Sequence, residues 1–257
     1  MKKLVVLFVI FSIVEIASAE FALEKISISG YLGYVNVSMG DVKNSLDSSP
    51  INQAPFKNNV VSNVGDGTIV GVEGMYKLDE VIPGFAAGAR LAYLTCTPGT
   101  VTGEITAGRK TKQTIELGLT MLMVGAGYTK ELSDVDPNLS VTGTVFLGLY
   151  SPLWGAFKME SNDPLVTSVT NLNGETTLEG SCMPIDINIK GNYKIAEKIS
   201  INFGLGYRIA SVSEIKTGND NANLDITKGE LLKDASGNTI TADFTGTTLS
   251  VGVTYQF

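Results

Sequence analysis

Hydrophobic and polar residues alternate along most of this chain. The alternation is cleanest in residues 199–209, where isoleucine, phenylalanine, leucine and tyrosine at odd positions are interleaved with serine, asparagine, glycine and arginine at even positions. Residues 139–150, 185–194 and 248–257 repeat the pattern. Successive side chains of a β-strand point to opposite faces, so a period of two predicts strands with one apolar and one polar face.

Four weaker segments bring the number of predicted strands to eight: residues 26–39, 68–78, 85–96 and 114–129. The connections alternate strictly between short and long. The short ones are residues 79–84, 130–138 and 195–198, and the long ones are residues 40–67, 97–113, 151–181 and 214–243. The last of these contains a hairpin tip at residues 233–241, around Ser236-Gly237-Asn238. The pattern predicts an all-β fold, an eight-stranded antiparallel up-and-down transmembrane β-barrel with short periplasmic turns and long extracellular loops.

A soluble barrel also alternates, and the size of the lumen separates the two. Eight strands enclose a lumen only wide enough for their own side chains, so turning every large apolar residue inward would overfill it. Glycine, serine, threonine and asparagine fit inside and leave an apolar belt outside. Six aromatic residues also fall near the short turns, as an interfacial girdle requires. They are Tyr76, Phe85, Tyr128, Tyr193, Tyr255 and Phe257.

The first nineteen residues have the three parts of a secretory signal peptide. Lys2 and Lys3 precede the apolar run 4–14, and Ala17-Ser18-Ala19 provides a small-residue cleavage site. The apolar run is short for a membrane anchor, and Glu15 interrupts it. The sequence therefore predicts a cleaved signal peptide at residues 1–19 and an exported barrel domain at residues 20–257.

Composition excludes several classes of function. A net charge of -7 argues against a nucleic-acid partner, which needs a basic surface. The absence of histidine removes every mechanism that needs an imidazole base or ligand. Asn219, Asn221, Asn223 and Asp225 alternate in a loop, but the glycine and the terminal glutamate of a calcium loop are missing. No metal and no cofactor are expected.

Charged residues on the polar faces of the predicted strands point into the lumen. They are three acids and three bases: Glu73, Arg90, Glu116, Asp186, Lys190 and Arg208. An unpaired charge in a low-dielectric interior is costly, so a mutually paired, structural cluster is favoured. A selectivity filter or gated pore is the functional alternative.

Taken together, the signal segment, the eight alternating strands and the C-terminal Val251–Phe257 resemble the small outer-membrane β-barrels of the opacity, OmpX/Ail and OmpA-barrel type. The resemblance implies that Val253, Tyr255 and Phe257 form the signal read by the barrel-assembly machinery. It also implies location in a Gram-negative-type outer membrane, contact with its lipid, and roles as an adhesin, surface antigen, envelope component or narrow channel. OmpW-like hydrophobic channels are a nearby alternative.

The enzymatic barrels of this architecture resemble one another in requiring a catalytic histidine, so no enzymatic activity is expected here. Two hypotheses remain. In the first, a non-enzymatic surface protein contacts a host or envelope ligand through its long loops. In the second, the barrel is a narrow passive channel for small solutes.

Two cysteines, Cys96 and Cys182, both fall at the long-loop ends of predicted strands. An oxidising compartment favours a disulfide between them. Their strands lie nearly across the barrel from each other, whereas bonded cysteines need Cα atoms within about 7 Å. A bond therefore requires a loop that bends over the lumen, and the sequence leaves the two outcomes open.

Overall fold

The computed structural model of the chain describes residues 22–53, 55–105, 107–163, 173–234 and 236–257. These residues form fourteen strands: β1 (Ile26–Val37), β2 (Lys57–Ser62), β3 (Gly65–Lys77), β4 (Phe85–Thr97), β5 (Gly99–Glu104), β6 (Lys110–Glu131), β7 (Leu139–Ser161), β8 (Gly174–Cys182), β9 (Ile185–Ala196), β10 (Ile199–Ile209), β11 (Ser211–Val212), β12 (Lys216–Thr217), β13 (Ala242–Asp243) and β14 (Gly246–Gln256). They also form one α-helix, α1 (Gly40–Asp47), and 3-10 turns at Leu23–Lys25, Pro50–Asn52 and Ala222–Leu224. The predicted signal peptide at residues 1–19 lies outside the described residues.

Eight of these strands close into a barrel. Neighbours pair in the circular order β1, β3, β4, β6, β7, β9, β10 and β14, and β14 pairs back with β1. Every pairing in the ring is antiparallel. Each barrel strand overlaps one of the eight segments predicted from the alternation. The closed barrel confirms the fold class, and it is the fold that the family resemblance implies.

Short turns join the strands at one end of the barrel. They span residues 78–84, 132–138 and 197–198. Side-chain oxygens hold two of them: Asp79 Oδ1 accepts the N–H of Gly84 at 2.8 Å, and Asp136 Oδ1 accepts the N–H of Asn138 at 2.7 Å. The connections at the other end are residues 38–64, 98–109, 162–184 and 210–245, which carry α1 and the shorter strands.

Two barrel strands continue far beyond the barrel wall. Strands β6 and β7 are 22 and 23 residues long, whereas β10 and β14 have 11 residues each. Beyond the barrel, β5 pairs with β6 and β8 pairs with β7, with β2 and β12 at the two edges. We call this six-stranded region, in the order β12-β8-β7-β6-β5-β2, the distal sheet. A β-bulge in the β6–β7 pairing at Leu122/Met123 precedes it.

The distal sheet corrects the prediction that residues 97–113 and 151–181 are loops. Residues 99–104, 110–113, 151–161 and 174–181 are paired strand, while residues 164–172 lie outside the described part of the chain. The buried face of these strands carries Val101, Leu153 and Leu178, but glycine, serine and threonine interrupt the apolar residues, so the alternation is weak there. The predicted hairpin tip is present, because Lys233 bridges Thr239 and Gly237 has a φ of 85°. Hydrogen bonds from Asn238 lower the pKa of Asp234 below its usual value.

The outer surface of the barrel is apolar on all eight strands. Fourteen large outward-facing side chains are about 40% exposed or more: Leu32, Val70, Val72, Leu91, Leu122, Val145, Leu147, Ile187, Ile189, Phe203, Leu205, Leu249, Val251 and Val253. A continuous apolar belt of this kind is far larger than the patches that soluble monomers expose. The barrel is therefore a transmembrane one. No helix among the described residues is both long and apolar enough to cross a membrane.

Aromatic residues mark both edges of the belt. The six aromatic residues predicted near the short turns lie there, and Tyr128 and Tyr193 are exposed on the outer face. A second group at the opposite edge was not predicted from the sequence: Tyr34, Tyr93, Tyr150, Trp154 and Tyr207. The rings of Tyr93 and Trp154 stack in parallel with centroids 4.9 Å apart. Trp154 lies across Gly118, where a Cβ atom would collide with the indole ring.

The lumen is apolar towards the distal sheet. Large inward-facing side chains fill it there, including Val35, Ile69, Leu94, Leu119 and Met121, each at most 1% exposed. They share one core with the buried side chains of α1, Val42 and Leu46. The expectation that glycine and small polar residues line the whole lumen is therefore wrong for this half. These aliphatic side chains close this end of the barrel.

Candidate functional site

Five of the six charged residues predicted for the lumen lie together inside it. Glu73 on β3 and Arg90 on β4 are register partners, as are Asp186 on β9 and Arg208 on β10. Lys190 lies four residues after Asp186, on the same inward face of β9. Each of the five is less than a tenth exposed. We call Glu73, Arg90, Asp186, Lys190 and Arg208 the lumen ion network.

Hydrogen-bonded ion pairs link the five side chains into one chain across the barrel. Arg90 donates to Glu73 Oε2 from Nη2 at 2.6 Å and from Nε at 3.0 Å. Its Nη1 reaches the opposite wall and donates to Asp186 Oδ2 at 3.0 Å. Lys190 Nζ donates to the two Glu73 oxygens at 2.7 and 2.8 Å, and Arg208 Nη2 donates to Asp186 Oδ2 at 3.1 Å. Arg90 therefore bridges two walls that are not neighbours in the sheet.

Two aromatic residues that the sequence analysis did not select hold Arg90 in place. Its guanidinium carbon lies 4.0 Å from the ring centroid of Phe146 and 5.5 Å from that of Tyr31. Both rings face inward, so they belong to the minority of aromatic residues that do not face the lipid. A planar cation over an aromatic face gains electrostatic attraction, which is strongest when both are removed from water. Tyr31 and Phe146 therefore fix the position of the bridging arginine.

The prediction that Glu116 points into the lumen is wrong. Glu116 lies on the outward face of β6, in the distal sheet, and its side chain is 39% exposed. Lys158 on β7 donates to Glu116 at 3.3 Å and lies 3.6 Å from Glu175. Hydrogen bonding to Glu116 raises the pKa of Lys158. Both faces of β6 carry apolar residues, so the alternation alone did not identify the inward one.

The two cysteines are both free thiols. Cys96 is buried at the end of β4. Cys182 is the last residue of β8, where pairing with β7 places it opposite Ser151. The disulfide that the sequence left open required a loop bent over the lumen, and the structure instead has a strand of the distal sheet at this position.

Alkylation of the unfolded, unreduced protein should therefore label two thiols per chain. The physical reason is that the structure has no bond between the two thiols, and pairing with β7 fixes the backbone of Cys182 opposite Ser151. Intact-mass spectrometry counts the labels. A chain whose mass shows no label before reduction and two labels after reduction would contradict free thiols.

The asparagine-rich loop at residues 219–225 is a structural clamp. Asn219 Oδ1 accepts from the backbone N–H of Thr177 at 2.7 Å and from its hydroxyl at 2.9 Å. Asn221 donates to the carbonyl of Glu175 at 2.9 Å, which ties the loop to β8. The alternation that loosely resembled a calcium loop thus pairs loop amides with the distal sheet. Within the described ranges no three His, Cys, Asp or Glu residues form a group that could hold a metal ion.

The C-terminal residues face outwards at the short-turn end. Val253, Tyr255 and Phe257 are each between 41% and 52% exposed. The rings of Tyr255 and Phe257 meet edge to face with centroids 5.0 Å apart. The N–H of Phe257 donates to the carbonyl of Ile26 at 3.1 Å, so the last residue remains attached to β1.

The chemistry available to the lumen ion network is electrostatic. Its carboxylates are engaged by the cations, and its side chains include no hydroxyl or thiol nucleophile. The network has three cations and two carboxylates, which leaves an excess of one positive charge. An arrangement of this kind crosslinks the barrel walls from inside and restricts passage through the lumen.

No protein-family model matches the chain, and no curated protein matches it in sequence. Among solved structures it is similar to the Neisserial surface protein A, with 8% identity, coverage of 91% of this chain and 97% of that chain, and a TM-score of 0.44. It is similar to Ail of Yersinia pestis, solved with the heparin analogue sucrose octasulfate (8% identity, 91% and 99% coverage, TM-score 0.34). It is also similar to the outer-membrane protease OmpT of Escherichia coli (8% identity, 93% and 99% coverage, TM-score 0.35). Each TM-score lies below 0.5, so the fold assignment rests on the strand pairing described above.

Proposed function

We propose that this chain is a non-enzymatic surface protein of a Gram-negative-type outer membrane. Residues 1–19 direct export and are removed, and the barrel spans the membrane with its short turns in the periplasm. The distal sheet and the long loops then face the outside of the cell. They contact a host or envelope ligand, and the barrel anchors them.

The observation that carries this proposal is the closed lumen beneath an ordered distal sheet. The ion network crosses the barrel, and Val35, Leu94 and Leu119 fill the lumen beyond it. A pore would leave a continuous polar path at these positions. The chain instead uses much of its length outside the membrane, where surface area is available for recognition rather than for transport.

The protein should give no steady conductance in a planar lipid bilayer. The physical reason is that the network and the aliphatic side chains occupy the lumen from wall to wall. Refolded protein is added to one chamber, and current is recorded at fixed voltages, with a general porin as a positive control. Current steps of uniform size would support the narrow-channel alternative instead, if the size of the step differs between the wild-type protein and Arg90→Gln.

Adherence of bacteria that express the protein tests the surface role. Val60 is 63% exposed on β2, which is an edge strand of the distal sheet. Val60→Asp should reduce adherence to a host-cell monolayer or matrix-coated surface if this edge contacts the ligand. Val135→Asp, in a short turn at the opposite end of the barrel, is the matched control because Val135 is also exposed. Equal adherence of cells with the two variants would overturn the proposed contact at this edge. Adherence no greater than that of cells that lack the protein would overturn the surface role.

Insertion should depend on Phe257 more than on a loop residue. We propose that Val253, Tyr255 and Phe257 form the assembly signal, which is supported by their outward exposure at the short-turn end. Deletion of Phe257 should lower the yield of heat-modifiable protein in the outer-membrane fraction several-fold. Deletion of the exposed loop residue Asn238 is the control, and equal yields of the two variants would count against the signal.

A further inference from the structure

A small cavity lies inside the barrel beside the lumen ion network. Tyr31, Asn188, Arg208 and Thr248 line it, together with Asp186. These five side chains are inside the barrel wall and come from strands β1, β9, β10 and β14. The rest of the lining is Ile69, Arg90, Lys190 and Ser250. The space is about the size of one water molecule or one small ion.

Several polar atoms around this cavity have no hydrogen-bond partner among the residues that the structure describes. Arg208 uses Nη2 for Asp186, but its Nε and Nη1 have no hydrogen-bond partner. Asn188 Nδ2, Thr248 Oγ1 and the Tyr31 hydroxyl are also buried without a partner. Buried polar groups are almost always hydrogen-bonded, so several such donors around one space indicate an occupant. Arg208 itself is 1% exposed.

Charge indicates the sign of that occupant. The network has an excess of one positive charge, and the undescribed internal positions 54, 106, 164–172 and 235 contain no charged residue that could neutralise it. Asp186 Oδ1 is an unpartnered acceptor here. Its carboxylate is already paired through Oδ2 with both Arg90 and Arg208. Arg208 thus shares one carboxylate with Arg90, and it carries the unpartnered cationic donors of the network, Nε and Nη1.

We propose that this cavity binds one small monovalent anion of the size of chloride. Arg208 Nε and Nη1, Asn188 Nδ2 and the Thr248 hydroxyl donate to it, and it neutralises the ion network. A water molecule accepts only two hydrogen bonds, fewer than Arg208 Nε and Nη1 and Asn188 Nδ2 offer, and it carries no charge to offset the excess of the network. A polyatomic anion of the size of gluconate does not fit a space this small. The site is independent of the surface role proposed above.

The test compares stability in salts that differ only in the anion. The protein is refolded in 0.15 M sodium chloride, sodium bromide or sodium gluconate, because a closed barrel exchanges its contents slowly. The midpoint of thermal unfolding is then read from the loss of heat-modifiable mobility on gels. We expect a midpoint several degrees higher in chloride and bromide than in gluconate, since a ligand bound only by the folded state stabilises it.

Substitutions identify the site. Thr248→Val removes one donor and keeps the side-chain shape, so the halide-dependent shift should shrink. Arg208→Gln should abolish the shift, and Thr248→Val keeps the test decisive if the arginine variant does not fold. Lys158→Gln, which removes a cation of the distal sheet, is the matched control and should keep the full shift.

Bromide also allows direct detection. Anomalous diffraction from crystals of protein refolded in bromide should show a peak between Arg208, Asn188 and Thr248. Equal midpoints in all three salts, a shift that survives Arg208→Gln, a shift that Thr248→Val leaves undiminished, or a cavity without anomalous signal would each overturn the proposal in favour of water.

Discussion

Glu73→Gln should destabilise the folded barrel by about 3–5 kcal/mol, the range found when one partner of a buried ion pair is removed. Glu73 accepts hydrogen bonds from Arg90 at 2.6 Å and from Lys190 at 2.7 Å. When Glu73 is neutral, Asp186 is the one carboxylate left in the network. Its three cations, Arg90, Lys190 and Arg208, then share that single negative charge. The loss arises from cations that stay buried without a counter-charge, because the neutral amide compensates them only weakly.

The measurement is the free energy of unfolding in urea, with the barrel in lipid vesicles. The single tryptophan, Trp154, reports the transition because it lies at the edge of the apolar belt. Glu116→Gln is the matched control. Glu116 is 39% exposed and paired with Lys158, so its neutralisation should cost less than about 1 kcal/mol. Equal losses for the two variants would mean that the network contributes no more than a surface pair.

The contrast between Glu73 and Glu116 also shows what the alternation of residues can predict. Strands β9, β10 and β14 have one strongly apolar and one strongly polar face, so their inward residues follow directly from the sequence. Strand β6 does not. Its inward face carries Leu117, Leu119, Met121 and Met123, while its outward face mixes the large Leu122 and Tyr128 with small residues such as Gly118 and Ala126. An inward face this apolar is possible because large apolar side chains fill the lumen there.

The remaining features depend on contacts between distant parts of the chain. The stacking of Tyr93 on Trp154 joins β4 to the outer half of β7, and nothing in the local pattern around Trp154 predicts it. The distal sheet likewise depends on pairing between distant strands, whose buried face mixes apolar residues such as Val101, Leu153 and Leu178 with glycine and threonine. Tyr31 and Phe146 could have been noticed as aromatic residues at inward positions, but their role requires the position of Arg90, which the strand register determines.

The apolar belt leads to a second large effect, at Val251 on β14. Val251 lies midway between Tyr255, at the short-turn edge, and Thr247, which pairs with Tyr207 at the other edge. It is 47% exposed on the outer face of the barrel. In a soluble barrel, lysine at such an exposed position would change stability by less than about 0.5 kcal/mol. In a bilayer the same ammonium group would lie near the midplane, among hydrocarbon.

Val251→Lys should therefore lower the free energy of unfolding from lipid vesicles by about 2–4 kcal/mol, the cost measured for lysine at the midplane of membrane barrels. Val251→Thr keeps the branched shape without the charge and isolates the effect of the ammonium group. Val135→Lys introduces the same group at a turn position that is 77% exposed, and it should be nearly neutral. Because the three variants differ in depth and charge, a large loss confined to Val251→Lys measures the membrane itself. A loss at Val135 as large as at Val251 would show instead that lysine disturbs the protein wherever it is placed.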